Sequence, residues 1–180
     1  MENSTDPSSI AERAAHIKLL LMDCDGVLTD GRLWLLENGD EQKWFSARDG
    51  LGLELLHRAG LRSGIISGRK SSAVTRRARE LGIAFVRQGT ERKMGAFDDI
   101  LKEAGVIDRE VAFIGDDLND IALMQRCEFA VAVADAAEET RTSAHYITSA
   151  RGGFGAVRET IEVILKAQGL WEDLLGQYRG

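Results

Sequence analysis

Two aspartates, Asp23 and Asp25, follow directly on a largely apolar run at residues 17–22 and precede Gly26. The run is typical of a buried strand, and side-chain alternation along a strand points both carboxylates the same way. Two like charges at this spacing coexist only with a bound cation, a shared proton or separate chemical roles. Because ligands of open α/β sheets bind at the carboxyl ends of the strands, the pair predicts a reactive site.

Three later segments, each at the end of an apolar run or the start of a helix, offer complementary polar groups: these are Ser67-Gly68-Arg69, Lys93, and Asp116, Asp117 and Asp120. Carboxylates are the ligands that hard cations prefer. A hydroxyl, an ammonium and the free N–H groups of a helix start suit a phosphoryl group. The combination predicts metal-assisted chemistry on a phosphoryl group.

Short apolar runs alternate with helical patterns along the chain and must position these groups. The predicted strands are 18–22, 63–67, 84–86, 111–114, 130–133 and 145–147. The predicted helices are 52–59, 71–81, 93–104, 119–126, 137–143 and 156–168. This alternation predicts an α/β fold, with one domain over residues 16–168 built on a doubly wound, mainly parallel sheet. Residues 1–15 are expected to be a flexible N-terminal tail and residues 169–180 a C-terminal tail.

Residues 33–46 interrupt the alternation and are expected to form an inserted β-hairpin with an Asn-Gly turn at 38–39. The segment carries Trp34, Trp44 and Phe45, and an isolated two-stranded hairpin is only marginally stable in water. It must therefore pack on its own domain or on another subunit, and the aromatic content favours another subunit.

Composition narrows the classes of partner. The chain has 180 residues with 23 basic and 29 acidic side chains, and its net charge of -6 argues against nucleic acid as a partner. No apolar run approaches the roughly 20 residues of a membrane span, and the polar N-terminus is unlike a secretory signal. Two cysteines give no disulfide framework, so a reduced cytoplasmic setting is expected.

Taken together, the D-x-D-G-V-L-T-D-G segment from Asp23, the later S-G-R, Lys93 and the G-D-D-x-x-D segment from Gly115 resemble the haloacid dehalogenase superfamily of phosphatases. The resemblance covers the chain from about Lys18 onward and implies a Rossmann-like core. Larger members carry an inserted cap domain, for which residues 31–66 and 68–92 leave too little room. The resemblance therefore implies a member of the capless subclass.

The resemblance implies that Asp23 is the nucleophile and forms an aspartyl-phosphate. Asp25 would be the general acid for the leaving oxygen and then the base for water. Ser67 and Gly68 would bind the phosphoryl group, and Lys93 would neutralise it. A single acid/base pair contributes only about 10²–10⁴-fold, whereas monoester hydrolysis can need up to ~10²¹-fold, so these groups must act together.

The resemblance also implies a bound Mg²⁺. Its ligands would be the carboxylates of Asp23 and Asp116 and the main-chain carbonyl of Asp25. Asp117 and Asp120 would lie in the outer sphere of the metal or orient the catalytic lysine. A cation would also explain how several acids stay ionised within a few residues.

Two finer motifs, residues 45–50 and 152–159, resemble those of the 3-deoxy-D-manno-octulosonate 8-phosphate (KDO 8-phosphate) phosphatases, capless enzymes of lipopolysaccharide sugar synthesis. This implies a sugar-acid phosphate substrate, whose carboxylate Arg48 and Arg69 would bind bidentately. It also implies a homotetramer assembled through the hairpin, and a C-terminal tail, 169–180, that can act as a lid.

Three alternatives stay open at this stage. The substrate could be a nine-carbon sugar-acid phosphate of the sialic acid or KDN type. The chain could instead be a non-catalytic oligomerisation module on the same scaffold. A receiver domain also phosphorylates an aspartate, but it carries adjacent acids on its first strand, so the D-x-D pattern favours a phosphatase.

Overall fold

The structure is a computed structural model, and it describes residues 7–37 and 39–179. Its eight strands are β1 (Leu19–Met22), β2 (Trp34–Leu35), β3 (Glu41–Gln42), β4 (Arg62–Ser67), β5 (Phe85–Gln88), β6 (Val111–Gly115), β7 (Phe129–Ala132) and β8 (Tyr146–Ile147). Six of them form a parallel sheet in the order β5-β4-β1-β6-β7-β8. The remaining two, β2 and β3, pair as a separate antiparallel hairpin.

Strand β1 lies at the centre of the sheet because all four of its residues are fully buried apolar side chains. A continuous apolar strand of this kind is typical of a parallel sheet covered on both faces. The register places Met22 beside Ile65 of β4 and Ile114 of β6. The residues that follow these three strands therefore emerge at the same edge of the sheet.

The helices are α1 (Pro7–Ala14), α2 (Ala47–Arg58), α3 (Ser72–Glu80), α4 (Lys93–Ala104), α5 (Ile121–Met124), α6 (Glu138–Thr142), α7 (Ala156–Ala167) and α8 (Trp171–Gly176). They flank the sheet: α7 packs against α1, α2 and α8, while α4 packs against α5. The predicted doubly wound α/β fold is confirmed. None of these helices is long and apolar enough to cross a membrane.

The predicted elements agree with the observed ones to within a few residues, with α2 as the main exception. This helix begins at Ala47, five residues before the predicted start at Gly52. The Ser46 hydroxyl caps it by accepting a hydrogen bond from the Asp49 N–H at 3.3 Å. The cap satisfies a donor that would otherwise be unpaired, so the helix extends toward the hairpin.

Both terminal segments contain a helix where the structure describes them. Residues 1–6 of the predicted N-terminal tail lie outside the described part, but Pro7–Ala14 form α1, a helix where a tail was predicted. The Gln168 amide donates to the carbonyls of Ala14 and Ile17 at 3.2 and 2.8 Å and fixes the end of this helix. In the C-terminal segment, α8 buries Leu174.

Helix α8 lies beside α2 and α7, where Trp171 and Leu174 line a small apolar groove together with Leu51 and Leu55. The guanidinium of Arg158 sits 5.4 Å from the centre of the Trp171 ring. These contacts bury apolar side chains of α8 and stabilise its position against α2 and α7. Closure of residues 169–180 over a site stays a prediction.

The hairpin is shorter than the predicted 33–46 segment. It pairs Trp34 with Gln42 and Leu35 with Glu41, and Asn38, predicted at the turn, lies outside the described residues. Four apolar side chains of the segment, Leu33, Trp34, Leu35 and Trp44, are between 48% and 66% exposed, whereas Phe45 packs partly buried against the core. Within the described ranges no further segment inserts into the domain, so the site has no cap from its own chain.

The buried carboxylate of Asp49 joins α2 to the start of α7. It accepts hydrogen bonds from the N–H groups of Gly155 at 3.2 Å and Arg158 at 2.8 Å. Burial raises the pKa of Asp49, and the hydrogen bonds from the two N–H groups oppose that rise. An anion at a helix N-terminus satisfies donors that have no partner within the helix. The segment 45–50 therefore has a structural role in holding α7.

We expect Asp49→Ala to lower the free energy of unfolding by about 2 kcal/mol, because two N–H groups of α7 lose a charged acceptor. Urea unfolding measures this change. Asp99→Ala is the matched control, since Asp99 is an exposed carboxylate within α4; it should change stability by less than about 0.5 kcal/mol. Equal stability of the two variants would contradict the role of Asp49.

Candidate active site

One cavity of about 280 Å³ collects most of the predicted site residues at the carboxyl edge of the sheet. The predicted residues that line it are Asp23, Asp25, Ser67, Gly68, Arg69, Lys93, Asp116 and Asp117. Its remaining lining residues, Gly31, Leu33 and Asn119, were not predicted. Positions scattered over nearly one hundred residues of sequence therefore converge on a single space.

The parallel strands account for this convergence. Asp23 follows β1, Ser67 ends β4 and Asp116 follows β6, and these three strands are neighbours in the sheet. Lys93 is the first residue of α4, which enters from the end of β5. Each side chain is thus placed by an element end, where backbone groups and side chains can both face a ligand.

A buried ammonium lies between two carboxylates at the base of the cavity. The Nζ of Lys93 is 3.0 Å from Oδ1 of Asp23 and donates a hydrogen bond to Oδ1 of Asp120 at 2.7 Å. Burial lowers the pKa of Lys93, but the charges of Asp23 and Asp120 outweigh burial, and the net shift is upward. The ammonium therefore stays charged beside the carboxylate of Asp23.

Asp120 is fully buried and has hydrogen-bond partners on both carboxylate oxygens. Its Oδ2 accepts from the N–H groups of Asp116 at 3.0 Å and Asp117 at 3.4 Å, while Oδ1 accepts from Lys93. The Asp117 carboxylate accepts from the N–H of Leu118 at 2.8 Å. Asp120 thus fixes the lysine and the acidic loop together.

The carboxylates of this site fit a hard cation. Oxygens of Asp23, Asp116 and Asp120 lie within 4.8 Å of one another, and Oδ1 of Asp116 is buried without a hydrogen-bond partner in the described chain. Burial, followed by the charge of Asp120, raises the pKa of Asp23 to about 6. Burial and the charges of Asp23 and Asp120 raise the pKa of Asp116 to about 8. Because Asp120 is already fully hydrogen-bonded, Asp23 and Asp116 are the carboxylates available to a metal.

Gly26 leaves the space that the Asp116 carboxylate occupies. Its φ of +92° is in the left-handed region, and an added Cβ would lie 2.0 Å from Oδ2 of Asp116. The turn at Gly152 packs against the same loop, since a Cβ there would lie 1.6 Å from the carbonyl oxygen of Gly26. The N–H of Gly153 donates to the carbonyl of Val27 at 2.8 Å. The glycines of the 152–159 motif therefore support the loop that carries Asp23 and Asp25.

Two charged residues of the hairpin segment reach the site and were not predicted. The Nζ of Lys43 donates to Oδ1 of Asp25 and lies 3.2 Å from Oε2 of Glu41. Burial lowers the pKa of the Lys43 ammonium, but its bonds to Asp25 and Glu41 produce a net rise. Glu41 and Lys43 are two residues apart, so strand alternation could have predicted that both lie on one face of the hairpin and Trp44 on the other.

The two predicted substrate-binding arginines have different positions. Arg69 lines the cavity and pairs with Glu41, whose pKa it lowers. Arg48 does not line the cavity; it is exposed at the start of α2, in a second depression with Phe154 and Glu159. The reason is that its neighbour Asp49 turns toward the core, which directs Arg48 outward. The binding of a substrate carboxylate by Arg48 is therefore not supported within one chain.

Comparison with known proteins agrees with this geometry. Residues 82–159 match the sequence family of haloacid dehalogenase-like hydrolases. The 3-deoxy-D-manno-octulosonate 8-phosphate phosphatase of Escherichia coli K12 is 39% identical over 170 residues, covering 94% of this chain and 90% of that protein.

Two solved structures are similar over most of the chain. The phosphatase of the same name from Moraxella catarrhalis, in complex with magnesium, phosphate and KDO, has a TM-score of 0.92 and 42% identity, covering 95% of this chain and 98% of that one. The cobalt-bound enzyme from Haemophilus influenzae has a TM-score of 0.85 and 40% identity, covering 87% and 92% of the two chains.

We expect the metal-free protein to lose stability as pH rises from about 4 to about 8. The native carboxyls of Asp23 and Asp116 hold their protons to about pH 6 and 8, whereas the ordinary value is 3.8. The native state therefore binds more protons than the unfolded chain in this window, and the free energy of unfolding falls with pH. Saturating Mg²⁺ should restore it, by about 2.7 kcal/mol at one hundred times the dissociation constant.

Urea unfolding in a chelator and in MgCl₂, from pH 5 to pH 8, measures both effects. Asp116→Asn is the control: its metal-free stability should depend less on pH, and Mg²⁺ should not shift it. A wild-type protein whose metal-free stability rises relative to Asp116→Asn over this range would contradict the expectation.

Proposed function

This chain belongs to the 3-deoxy-D-manno-octulosonate 8-phosphate phosphatase family of the haloacid dehalogenase superfamily, and we propose that it hydrolyses this sugar-acid phosphate with Mg²⁺. The observation that carries the proposal is that buried Asp23 and Lys93 and half-buried Asp116 line one cavity with Ser67. The group offers a nucleophile, a fixed cation and a metal ligand within reach of one phosphoryl group. The products would be KDO and inorganic phosphate.

The chemistry that magnesium supplies when bound is neutralisation of charge on the phosphoryl oxygens. The carboxylates of Asp23 and Asp116 and the main-chain carbonyl of Asp25 would hold it. The unpartnered Oδ1 of Asp116 supports this assignment. Asp117, which also lines the cavity, would lie in the outer sphere.

In the first step, a carboxylate oxygen of Asp23 forms a bond to phosphorus as the bond from phosphorus to the sugar oxygen breaks. The carboxyl group of Asp25 gives its proton to the leaving sugar oxygen. The Lys93 ammonium and the Ser67 hydroxyl hold the phosphoryl oxygens. The 3.0 Å contact between Lys93 and Asp23 supports this arrangement, because it places the cation beside the attacking group.

In the second step, the Asp25 carboxylate takes a proton from a water molecule, which attacks phosphorus. The bond between phosphorus and Asp23 breaks, inorganic phosphate forms, and the Asp23 carboxylate is regenerated. Asp25 returns to its protonated form, so the two steps balance. A covalent route of this kind divides one difficult hydrolysis into two easier transfers.

The sugar carboxylate would be bound at the mouth of the cavity, where Arg69 supplies a guanidinium. Cytoplasmic location and a role in lipopolysaccharide sugar synthesis belong to the same proposal. The two cysteines, Cys24 and Cys127, are free and buried, which agrees with a reducing compartment.

We also propose a homotetramer assembled through the hairpin. The exposed side chains of Leu33, Trp34, Leu35 and Trp44 form an apolar surface, and the rings of Trp34 and Trp44 pack with centroids 5.5 Å apart. Surfaces of this kind are typical of protein interfaces. Leu33 also lines the cavity, so a chain bound here would border the active site and restrict access of water.

We expect purified protein with Mg²⁺ to release phosphate from KDO 8-phosphate with a kcat/KM at least tenfold higher than from a nine-carbon sugar-acid phosphate. Asp23→Asn should lose at least about 10³-fold in kcat, because it removes the nucleophile. Asp99→Asn, on the surface of α4, should be unaffected. A preference for the nine-carbon substrate would change the substrate assignment, and an active Asp23→Asn would contradict the mechanism.

We expect Trp34→Glu with Trp44→Glu to dissociate the assembly without unfolding the chain, since both side chains are more than half exposed within one chain. Light scattering should give four times the 19.8 kDa chain mass for the wild type and a smaller mass for the variant. Ile107→Glu is the control, because Ile107 is 63% exposed and lies away from the hairpin. A monomeric wild-type protein would exclude the tetramer.

A further inference from the structure

The Lys43 ammonium is almost completely buried although it lies on a short hairpin. Its side chain is 1% exposed, and its contacts are Asp25, through a hydrogen bond to Oδ1, and Glu41, at 3.2 Å from Oε2. Burying an ammonium is costly unless charged partners compensate. Lys43 is therefore held in place by its two charged partners, and one of them, Asp25, belongs to the proposed active site.

The contacts continue past Lys43 to the second phosphate-binding segment. Glu41 also pairs with Arg69, which follows Ser67 and Gly68 at the end of β4. Four alternating charges thus join the loop after β1, the hairpin and the loop after β4. The side chains of Lys43 and Glu41 are each less than 10% exposed, so solvent screens the ion pair between them only weakly, whereas Arg69 is 45% exposed.

We propose that Lys43 is a positioning residue that holds the Asp25 side chain in the orientation that its acid and base roles require. An ammonium can only donate hydrogen bonds, so it fixes Oδ1 and leaves Oδ2 to carry the proton or to accept it. Glu41 acts one step further out by holding Lys43. This inference rests on the proposed function, because it assumes the role of Asp25 in that reaction.

The geometry explains why Asp25 needs such a partner. Its carboxylate is 18% exposed at the edge of the cavity, and among the described residues Lys43 is the hydrogen-bond donor to its side chain. An acid that is displaced by about 1 Å can lose about 10²-fold in rate. Asp23, in contrast, is held by Lys93 at the base of the site.

A leaving-group comparison tests this role. KDO 8-phosphate releases an alkoxide that needs a proton, whereas p-nitrophenyl phosphate releases a phenolate that does not. We expect Lys43→Met to lower kcat/KM at least tenfold on KDO 8-phosphate and less than threefold on p-nitrophenyl phosphate. Lys43→Arg should recover part of the loss. Inhibition by inorganic phosphate should be unchanged, since the phosphoryl-binding groups remain.

Three variants separate the possible failures. Asp25→Asn should show the same leaving-group signature, and adding Lys43→Met to it should cause little further loss. If Asp25→Asn keeps full activity on KDO 8-phosphate, the mechanism under the proposed function fails. If Asp25→Asn is impaired but Lys43→Met behaves like the wild type, only the role of Lys43 fails. An equal loss on both substrates would assign Lys43 a purely structural role and overturn the proposal.

Lys102→Met is the matched control, because Lys102 is exposed on α4, and it should match the wild type on both substrates. Removing Lys43 leaves the buried edge of the site without the cation that pairs with Asp25 and takes one of two partners from Glu41, which could prevent folding, so melting curves accompany each assay. If Lys43→Met does not fold, Lys43→Arg and Glu41→Gln are assayed in its place. Glu41→Gln should give a smaller loss that is again confined to KDO 8-phosphate, and no difference between its two substrates would overturn the proposal.

Discussion

The ammonium of Lys93 between Asp23 and Asp120 is the interaction on which the rest of the site depends. All three side chains are less than 10% exposed, so each charge loses its hydration and must be compensated by the others. One cation cannot neutralise three nearby carboxylates, and burial together with the charges of Asp23 and Asp120 raises the pKa of Asp116 to about 8. The arrangement is complete only with a second positive charge. A bound metal ion would supply that charge, and it would also attract a substrate phosphate.

The fold positions the acidic groups of the site by packing glycine backbone directly against them and their loop. Gly26 lacks the Cβ that would collide with Asp116, and Gly152 lacks the one that would collide with Gly26. The start of α7, held by Asp49, thus supports the loop after β1 from a distance of more than one hundred residues. The packing of α2 and α7 therefore determines where the loop after β1, which carries Asp23 and Asp25, can lie.

Local patterns were sufficient to predict the sheet and most of the site. The buried strand before Asp23 and the helix starting at Lys93 follow from apolar periodicity, and parallel strands then bring the ends of β1, β4 and β6 together. Contacts between distant residues could not be predicted in this way. Lys43 was not predicted to reach the site. Arg48 was predicted to bind the substrate carboxylate, but its neighbour Asp49 faces the core and directs Arg48 outward. The helix at Pro7–Ala14 is stabilised by Gln168, which no local pattern indicates.

The hairpin has one charged face and one apolar face, and contacts on both faces would stabilise this short element. Two residue pairs are too few to hold a β-ladder in water. On one face, Lys43 joins it to Asp25 through a largely buried ion pair, and Glu41 joins it to the more exposed Arg69. On the other, Trp34 and Trp44 present an apolar surface whose burial would be favourable. A second chain bound to the outer face would restrict the motion of the inner one. Assembly and the orientation of Asp25 would then both depend on how the same hairpin packs. A substitution on one face of the hairpin should therefore affect the contacts of the other face.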